Sequence, residues 1–390
     1  RVLAVHGDTH LGGDDIDNLL IRIGLEDIAS EWGTDVSRNQ EAVQLLRRAV
    51  IQAKEKLSFV PVAAIDFEFQ GRRYQRELTR PYYEALAARY PDDPSVLYEA
   101  GTQLGTLGHP EAALGVHARA RALAPGDFRV ALHHALALRA TGDARGAVAA
   151  LEGLRRQRWD APLVHQNLGA LLLDAGEPGV ASGHLRTALE LEPGSASARL
   201  ALAEARLAAG DPGGTRELLE TLVAGDQGGA EAHALLARAA LALGDCPAAR
   251  LNAERSRRLD PTVGGTHRLL AEALECLGDA RGAEAAYAAA LGAEPADPVA
   301  LGRLGVLLVR RGEVASGLAR LVAALELAPD SAELAAELGV ALRRAGRPAE
   351  AVGALCLALR LAPGLPVARR ELLALGADEG ACASSAPPAP

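Results

Sequence analysis

From residue 94 onward, apolar positions recur at intervals of three and four residues, and a small or breaking residue interrupts each stretch at a fixed place. This periodicity predicts amphipathic helices. Gly108, Gly142, Gly176, Gly210, Gly244, Gly278, Gly312 and Gly346 are spaced 34 residues apart. With each glycine set at repeat position fifteen, position eight is always glycine or alanine, and position twenty is alanine in six repeats, Thr215 and Gly317 in the others. Position seven is leucine in six of the eight repeats. Position thirty-two is Pro125, Pro193, Pro261, Pro295, Pro329 or Pro363 in six of them. Glycine ends a first helix, small residues let a second lie close against it, and proline stops the second. The pattern predicts eight helix-turn-helix units over residues 94–363, a capping helix over 364–376 and a small, Pro-rich, disordered tail over 377–390. Each unit leaves an apolar face that a neighbour must cover.

The fourth unit, 196–229, is the weakest: Arg206 stands at an apolar position, Thr215 replaces alanine, Gln227 replaces proline, and five glycines loosen it. It is expected to flex or fray first.

The first 93 residues follow a different pattern. Arg1 to His6 reads as a short β-like run, followed by a glycine turn. Amphipathic segments at Ile16–Ile28 and about Asn39–Leu57 predict two helices. Ala64 to Phe69 alternates, with Ile65, Phe67 and Phe69 on one face, which predicts a half-buried strand. Gln70-Gly71 turns the chain into a return strand at Tyr74–Leu78. Thr79 is expected to cap the next helix, with Pro81 in its first turn. Tyr83 and Leu86 also keep the repeat register, so residues 81–93 read as one helix shared by a lobe over 1–80 and the array.

Composition narrows the chemistry. Of 390 residues 49% are hydrophobic but only 3% aromatic, so alanine and leucine carry the core. The net charge is −9, and Lys54 and Lys56 are the only lysines. No basic footprint for nucleic acid is present, and no apolar run is long enough to cross a membrane. Cys246, Cys276, Cys356 and Cys382 form no CxxC pair; three fall inside the array and read as small core or surface residues, and the pattern suits a reducing compartment. The chain starts at Arg1 and has no methionine, which reads as a fragment or a processed product. His133 and His134 are adjacent, and His165, His233 and His267 share position four; they read as packing residues, with no metal expected. Trp159, at a repeat boundary, reads as a cover for a turn, with an exposed contact residue as the alternative.

Gly7 to Asp17 (GDTHLGGDDID), Ala53 to Ser58 (AKEKLS) and Leu78 to Leu86 (LTRPYYEAL) resemble, in that order, the nucleotide-binding domain of DnaK-type chaperones, the seventy-kilodalton heat-shock family. The likeness covers about residues 1–85 and implies a small α+β piece of an actin-like ATPase lobe. It places Lys54 and Ser58 at positions that contact the adenosine of ATP, and Gly12 and Gly13 in a structural turn near the cleft. Ile51 and Glu55 depart from the family pattern beside Lys54. The family's phosphate loops and catalytic lysine do not occur in these residues. ATP or ADP would therefore be held only with segments upstream and downstream of this stretch, and this chain alone is not expected to hydrolyse ATP.

The small-at-eight, glycine-at-fifteen, alanine-at-twenty and proline-at-thirty-two pattern resembles the tetratricopeptide repeat. The likeness implies a mostly α fold, an α-solenoid, whose concave surface takes proteins or peptides. On the matching positions that surface would carry Tyr98, Thr102, His133, Gln166, Asn167, Arg238, Arg268, Arg303, Arg310 and Arg344, opposed by Glu204, Glu272, Glu333 and Glu337. Each reads first as a solvated helix residue. As a set, the arginines of repeats five to eight suit an acidic peptide or a terminal carboxylate. The lysine and asparagine clamp of chaperone-binding members is missing. The expected function is a cytoplasmic, chaperone-family protein in which an incomplete ATP-binding domain is coupled to a partner-binding array. The alternative is a non-enzymatic interaction scaffold or co-chaperone with a degenerate ATPase remnant. A recruitment array of the glycosyltransferase type is the weakest reading.

Overall fold

The computed structural model describes residues 13–57, 62–225, 228–261, 265–377 and Cys382. The expected turn over Gly7–Gly12, Ser58 and most of the tail lie outside the described residues. The chain divides into two compact units, Arg1–Ala205 and Arg206–Pro390.

The first unit opens with α1 (Gly13–Trp32) and α2 (Gln40–Leu57), then β1 (Ala63–Phe69) and β2 (Arg72–Leu78), then α3 (Arg80–Arg89). The strands pair antiparallel, Ala63 opposite Leu78 and Phe69 opposite Arg72. Gln70 and Gly71, both at positive φ, make the tight turn between them, as hairpin twist requires. Ile65 and Phe67 are buried while Asp66 and Glu68 face water. Thr79 stands at the N-cap of α3, but its side chain makes no capping hydrogen bond; Pro81 in the first turn sets the helix start instead.

The array continues as helix pairs: α4 (Pro94–Thr106) with α5 (Pro110–Leu123), α6 (Phe128–Ala140) with α7 (Ala144–Gln157), and α8 (Pro162–Asp174) with α9 (Pro178–Leu191). α10 (Ala196–Ala208) contains the boundary between units and α11 (Pro212–Ala224) follows it. The second unit goes on with α12 (Gly229–Ala242) and α13 (Cys246–Leu259), α14 (Thr266–Cys276) and α15 (Ala280–Ala293), and α16 (Pro298–Arg311) and α17 (Val314–Leu327). α18 (Ala332–Arg344), α19 (Pro348–Leu361) and the capping helix α20 (Pro366–Ala374) end it.

One local device makes every turn within a pair. All eight period-marking glycines sit at φ between 72° and 101°. The next residue's amide then reaches back to a carbonyl five residues earlier, as in His109 to Leu104 and Asp279 to Leu274. That closes the first helix in a Schellman motif. Where the next residue is aspartate, as at Asp143, Asp211, Asp245 and Asp279, its carboxylate also caps the second helix. The small residues at positions eight and twenty set the spacing. A Cβ on Gly305 would lie 2.8 Å from the Gly317 carbonyl oxygen, so α16 and α17 meet backbone to backbone.

In the first unit one hydrophobic core runs from the segment before Pro94 into the repeats. Leu20 and Ile23 of α1, Leu46 of α2, Phe67, Tyr74, Leu78, Tyr83 and Leu86 share it with Val96, Leu97, Leu104 and Val116. Within it α3 packs on both β2 and α4.

The cysteines depart from the sequence expectation. Cys246 is bonded to Cys276 and Cys356 to Cys382. A spacing with no CxxC concealed this, because the repeat brings together residues that are far apart in the chain.

Candidate functional site

The second unit carries an open groove of about 370 Å³ between α16, α18 and α20. Its floor is apolar: Val306, Val309, Ala336, Val340, Ala341 and Leu365. Five arginines line it against three carboxylates, in a chain whose overall charge is −9. Arg303 and Arg310, both expected at concave positions, come together here. Arg303 pairs with Glu337 at 3.4 Å, and Arg310 lies 4.0 Å from Glu275. Burial pushes the Glu337 carboxyl up, and Arg303 opposes that shift. Glu371, buried at the edge of α20, accepts from Arg343 at 2.8 Å and is 3.5 Å from Arg370. Arg344 is exposed on the same rim. The groove thus offers apolar contacts ringed by guanidinium groups, the arrangement that holds carboxylate-bearing peptides.

Arg343 falls at repeat position twelve, and Arg370 and Glu371 of α20 at positions five and six of the helix after the eighth repeat. The 34-residue register, carried one helix further, therefore puts all three on the concave side, although none is among the residues singled out for it from the sequence. Arg369, beside Arg370 on α20, donates to the Pro363 carbonyl at 3.0 Å.

The other expected residues are dispersed. Arg268 is committed to Glu272 at 2.8 Å and to Asp297 at 3.1 Å. Arg238 is exposed on α12. In the first unit, the Asn167 amide donates to the Leu163 carbonyl of its own helix at 2.8 Å, and Gln166 donates to Ser197 at 3.1 Å. Neither amide is held out toward a ligand.

Tyr98 lines a separate cleft of about 530 Å³ in the first unit, between the α1 residues Asn18 and Arg22 and the starts of α4 and α6. Arg129 lies over its ring at 5.6 Å, and His133 meets it edge-on at 4.9 Å. Arg22 pairs with Asp93 and Arg129 with Asp127, each at 3.6 Å, and Glu99 adds a third carboxylate. A cleft with more carboxylates than arginines repels a triphosphate. Gly13 opens α1, whereas Gly12, Ser58 and the side chain of Lys54 lie outside the described residues.

The histidines pack inside the helices. His165 donates from Nε2 to the Trp159 carbonyl at 2.9 Å, and its Nδ1 faces that of His184 at 3.2 Å. His233 bonds Asn252 at 2.9 Å. Among the described residues no group of three or more histidine, cysteine or carboxylate side chains is placed to hold a metal ion. Trp159 covers nothing: its side chain is 69% exposed, and only its carbonyl serves the turn. Among the described residues no helix is long and apolar enough to cross a membrane.

Comparison with known proteins follows the same division. Residues 1–93 match the Hsp70 protein family, and residues 172–239 and 303–366 match tetratricopeptide repeat families. Over 93 residues the chain is 39% identical to the chaperone protein DnaK of Ureaplasma urealyticum serovar 10, covering 22% of this chain and 16% of that one. Over 92 residues it is 40% identical to the chaperone protein DnaK of Thalassiosira pseudonana, covering 22% and 15%. The match therefore spans about a sixth of the length of these curated relatives. Among solved structures, a chain of the APC/C hetero-tetramer Cut9-Hcn1 superposes with a TM-score of 0.58 at 15% identity, over 76% of this chain and 58% of that one. A tetratricopeptide repeat protein from Parabacteroides merdae gives 0.52 at 12% identity, over 67% and 99%. These likenesses establish the helical-repeat fold, an α-solenoid preceded by a small α+β piece. The chain joins a segment similar to part of the DnaK-type Hsp70 chaperones, over residues 1–93, to an array of tetratricopeptide repeats.

Proposed function

We propose that this chain is the partner-binding part of a chaperone-family protein and that its binding site is the groove of α16, α18 and α20. The observation that carries this reading is an apolar floor ringed by five arginines in a chain of net charge −9. The partner that fits is a protein segment pairing apolar side chains with carboxylates. The apolar residues enter between Val306 and Val340, and the carboxylates meet Arg310 and Arg344. Tetratricopeptide arrays in general bind proteins, which supports the assignment.

The test is titration of a fluorescent peptide of alternating apolar and acidic residues. Arg310→Glu and Arg344→Glu together should weaken binding at least about ten-fold, roughly 1.4 kcal/mol. Binding should also fall as salt rises. Unchanged affinity in the double variant would remove the groove as the site.

A second reading is favoured by the core that unites α1, α2 and the hairpin with the first repeats. A segment built into the array in this way suits a non-enzymatic scaffold, in which the Hsp70-like residues are a structural remnant. ATP turnover by the native protein, with its N-terminus sequenced, separates the two. Turnover, with phosphate loops preceding Arg1, supports the chaperone ATPase; their absence from the native protein supports the scaffold.

A further inference from the structure

The two cysteine pairs have different surroundings. Cys246 opens α13 and Cys276 closes α14, with Cα atoms 5.7 Å apart, Cys246 half-buried and Cys276 exposed. Cys356 is wholly buried in α19 among Ala335, Leu355, Leu359 and Leu372, and Cys382 packs onto that cluster. Its Cα–Cα separation is 5.1 Å. Both separations let a disulfide form without moving the backbone.

The Cys246–Cys276 bridge also holds the shortest repeat helix. α14 has 11 residues, whereas the first helices of the other repeats have 13 or 14. Its start has no side-chain cap; the N-cap is Gly265 in the left-handed region. Glu275, beside Cys276, accepts from the Tyr287 hydroxyl at 3.1 Å. The bridge therefore fixes the C-terminal turn of a short helix whose N-terminal turn lacks a side-chain cap and is held by the buried Thr266 and the Arg268 ion pairs.

We propose that Cys246–Cys276 is a thiol–disulfide exchange site, opened by a dithiol reductant while Cys356–Cys382 persists, and that opening it loosens α14. One reductant thiolate attacks a protein sulfur and the Cys246–Cys276 bond breaks. The second reductant thiol then resolves the mixed disulfide. Two electrons and two protons pass to the cysteines, and the reductant leaves as its own disulfide. Accessibility selects the bridge, because exchange requires a thiolate to reach the sulfur in line.

The experiment uses the full chain, purified without reductant. It is treated with limiting dithiothreitol for increasing times, quenched with iodoacetamide and mapped by peptide mass. Cys246 and Cys276 should be alkylated first, with Cys356 and Cys382 protected. Amide exchange over residues 266–277 should rise about ten-fold in the reduced protein, as expected when a local opening becomes easier. The Cys246→Ser, Cys276→Ser double variant should show that faster exchange without reductant. Alkylation of all four cysteines before any reductant, opening of Cys356–Cys382 first, or unchanged exchange at 266–277 after reduction would each overturn the proposal.

Discussion

Asp27 on α1 accepts a hydrogen bond from Arg89 on α3 at 2.6 Å, although 62 residues separate them in the chain. The same carboxylate accepts from the Tyr74 hydroxyl at 3.3 Å and lies 3.6 Å from Arg76. Arg76 also bonds Glu31, and Tyr90 bonds Glu26. Asp27 thus ties α1, β2 and α3 together beside the shared core. Burial pushes the Tyr74 phenol up, so it stays a neutral donor to Asp27.

Asp27→Ala should destabilise the first unit by about 2–3 kcal/mol, because it leaves the buried Tyr74 hydroxyl without its acceptor and removes one of the two carboxylates that each of Arg76 and Arg89 pairs with. Denaturant midpoints measure this. In the wild-type protein, limited proteolysis should spare residues 78–93, since α3 belongs to the common core; ready cleavage there would separate the segment from the array.

Gly305→Ala should destabilise the second unit by roughly 1–3 kcal/mol, even though alanine favours helix. The added methyl would meet the Gly317 carbonyl at 2.8 Å, and a backbone atom cannot turn aside. Thermal unfolding of the variant checks this, and an unchanged midpoint would show that α16 and α17 part easily.

His117 gives the first unit an acid sensitivity. Its ring is buried against Gly101, and burial, then His133 and His134, push its pKa down to about 3. The folded state therefore resists a proton that the unfolded chain accepts near pH 6.5. The stability from this group is complete above pH 6.5 and is lost as pH falls toward 3, at up to about 1.4 kcal/mol per pH unit. His117→Leu should flatten that loss, and it suits the site, because Leu185 and Leu355 fill the same position against Gly169 and Gly339. Urea unfolding between pH 7 and 4 compares the two proteins; parallel curves would exclude His117 as the source.

The fourth repeat should exchange its amides fastest among the repeats, by about ten-fold over its neighbours. In α11 only Thr215, Leu219 and Leu222 are buried. Arg206, at an apolar position, is half-buried and donates to the Gly214 carbonyl at 3.2 Å, which holds the pair by a polar contact instead of packing. Exchange as slow as in α16 and α17 would contradict this.

The eight helix pairs were legible before any coordinates, because their causes are local. A glycine at positive φ, an aspartate cap and a proline act within a few residues of themselves, so their spacing carries through to the helices. The hairpin was legible for the same reason, from alternation and one turn. The likeness of residues 1–93 to DnaK was legible in three short motifs. What the linear pattern left open depends on distances between residues far apart in the chain. Arg268 and Arg303 occupy equivalent faces, yet one is committed to Glu272 and Asp297 while the other edges a groove. Asn167 matches a ligand position and bonds its own helix. Trp159 reads as a cover and stands in solvent. The cysteine pairs, the Asp27 network and the part played by α20 were likewise decided by packing. The sequence by itself determined where the chain turns within each repeat, through glycines at positive φ and aspartate caps. Only the tertiary structure decided which charged and sulfur-bearing side chains meet, because meeting depends on how successive helices stack.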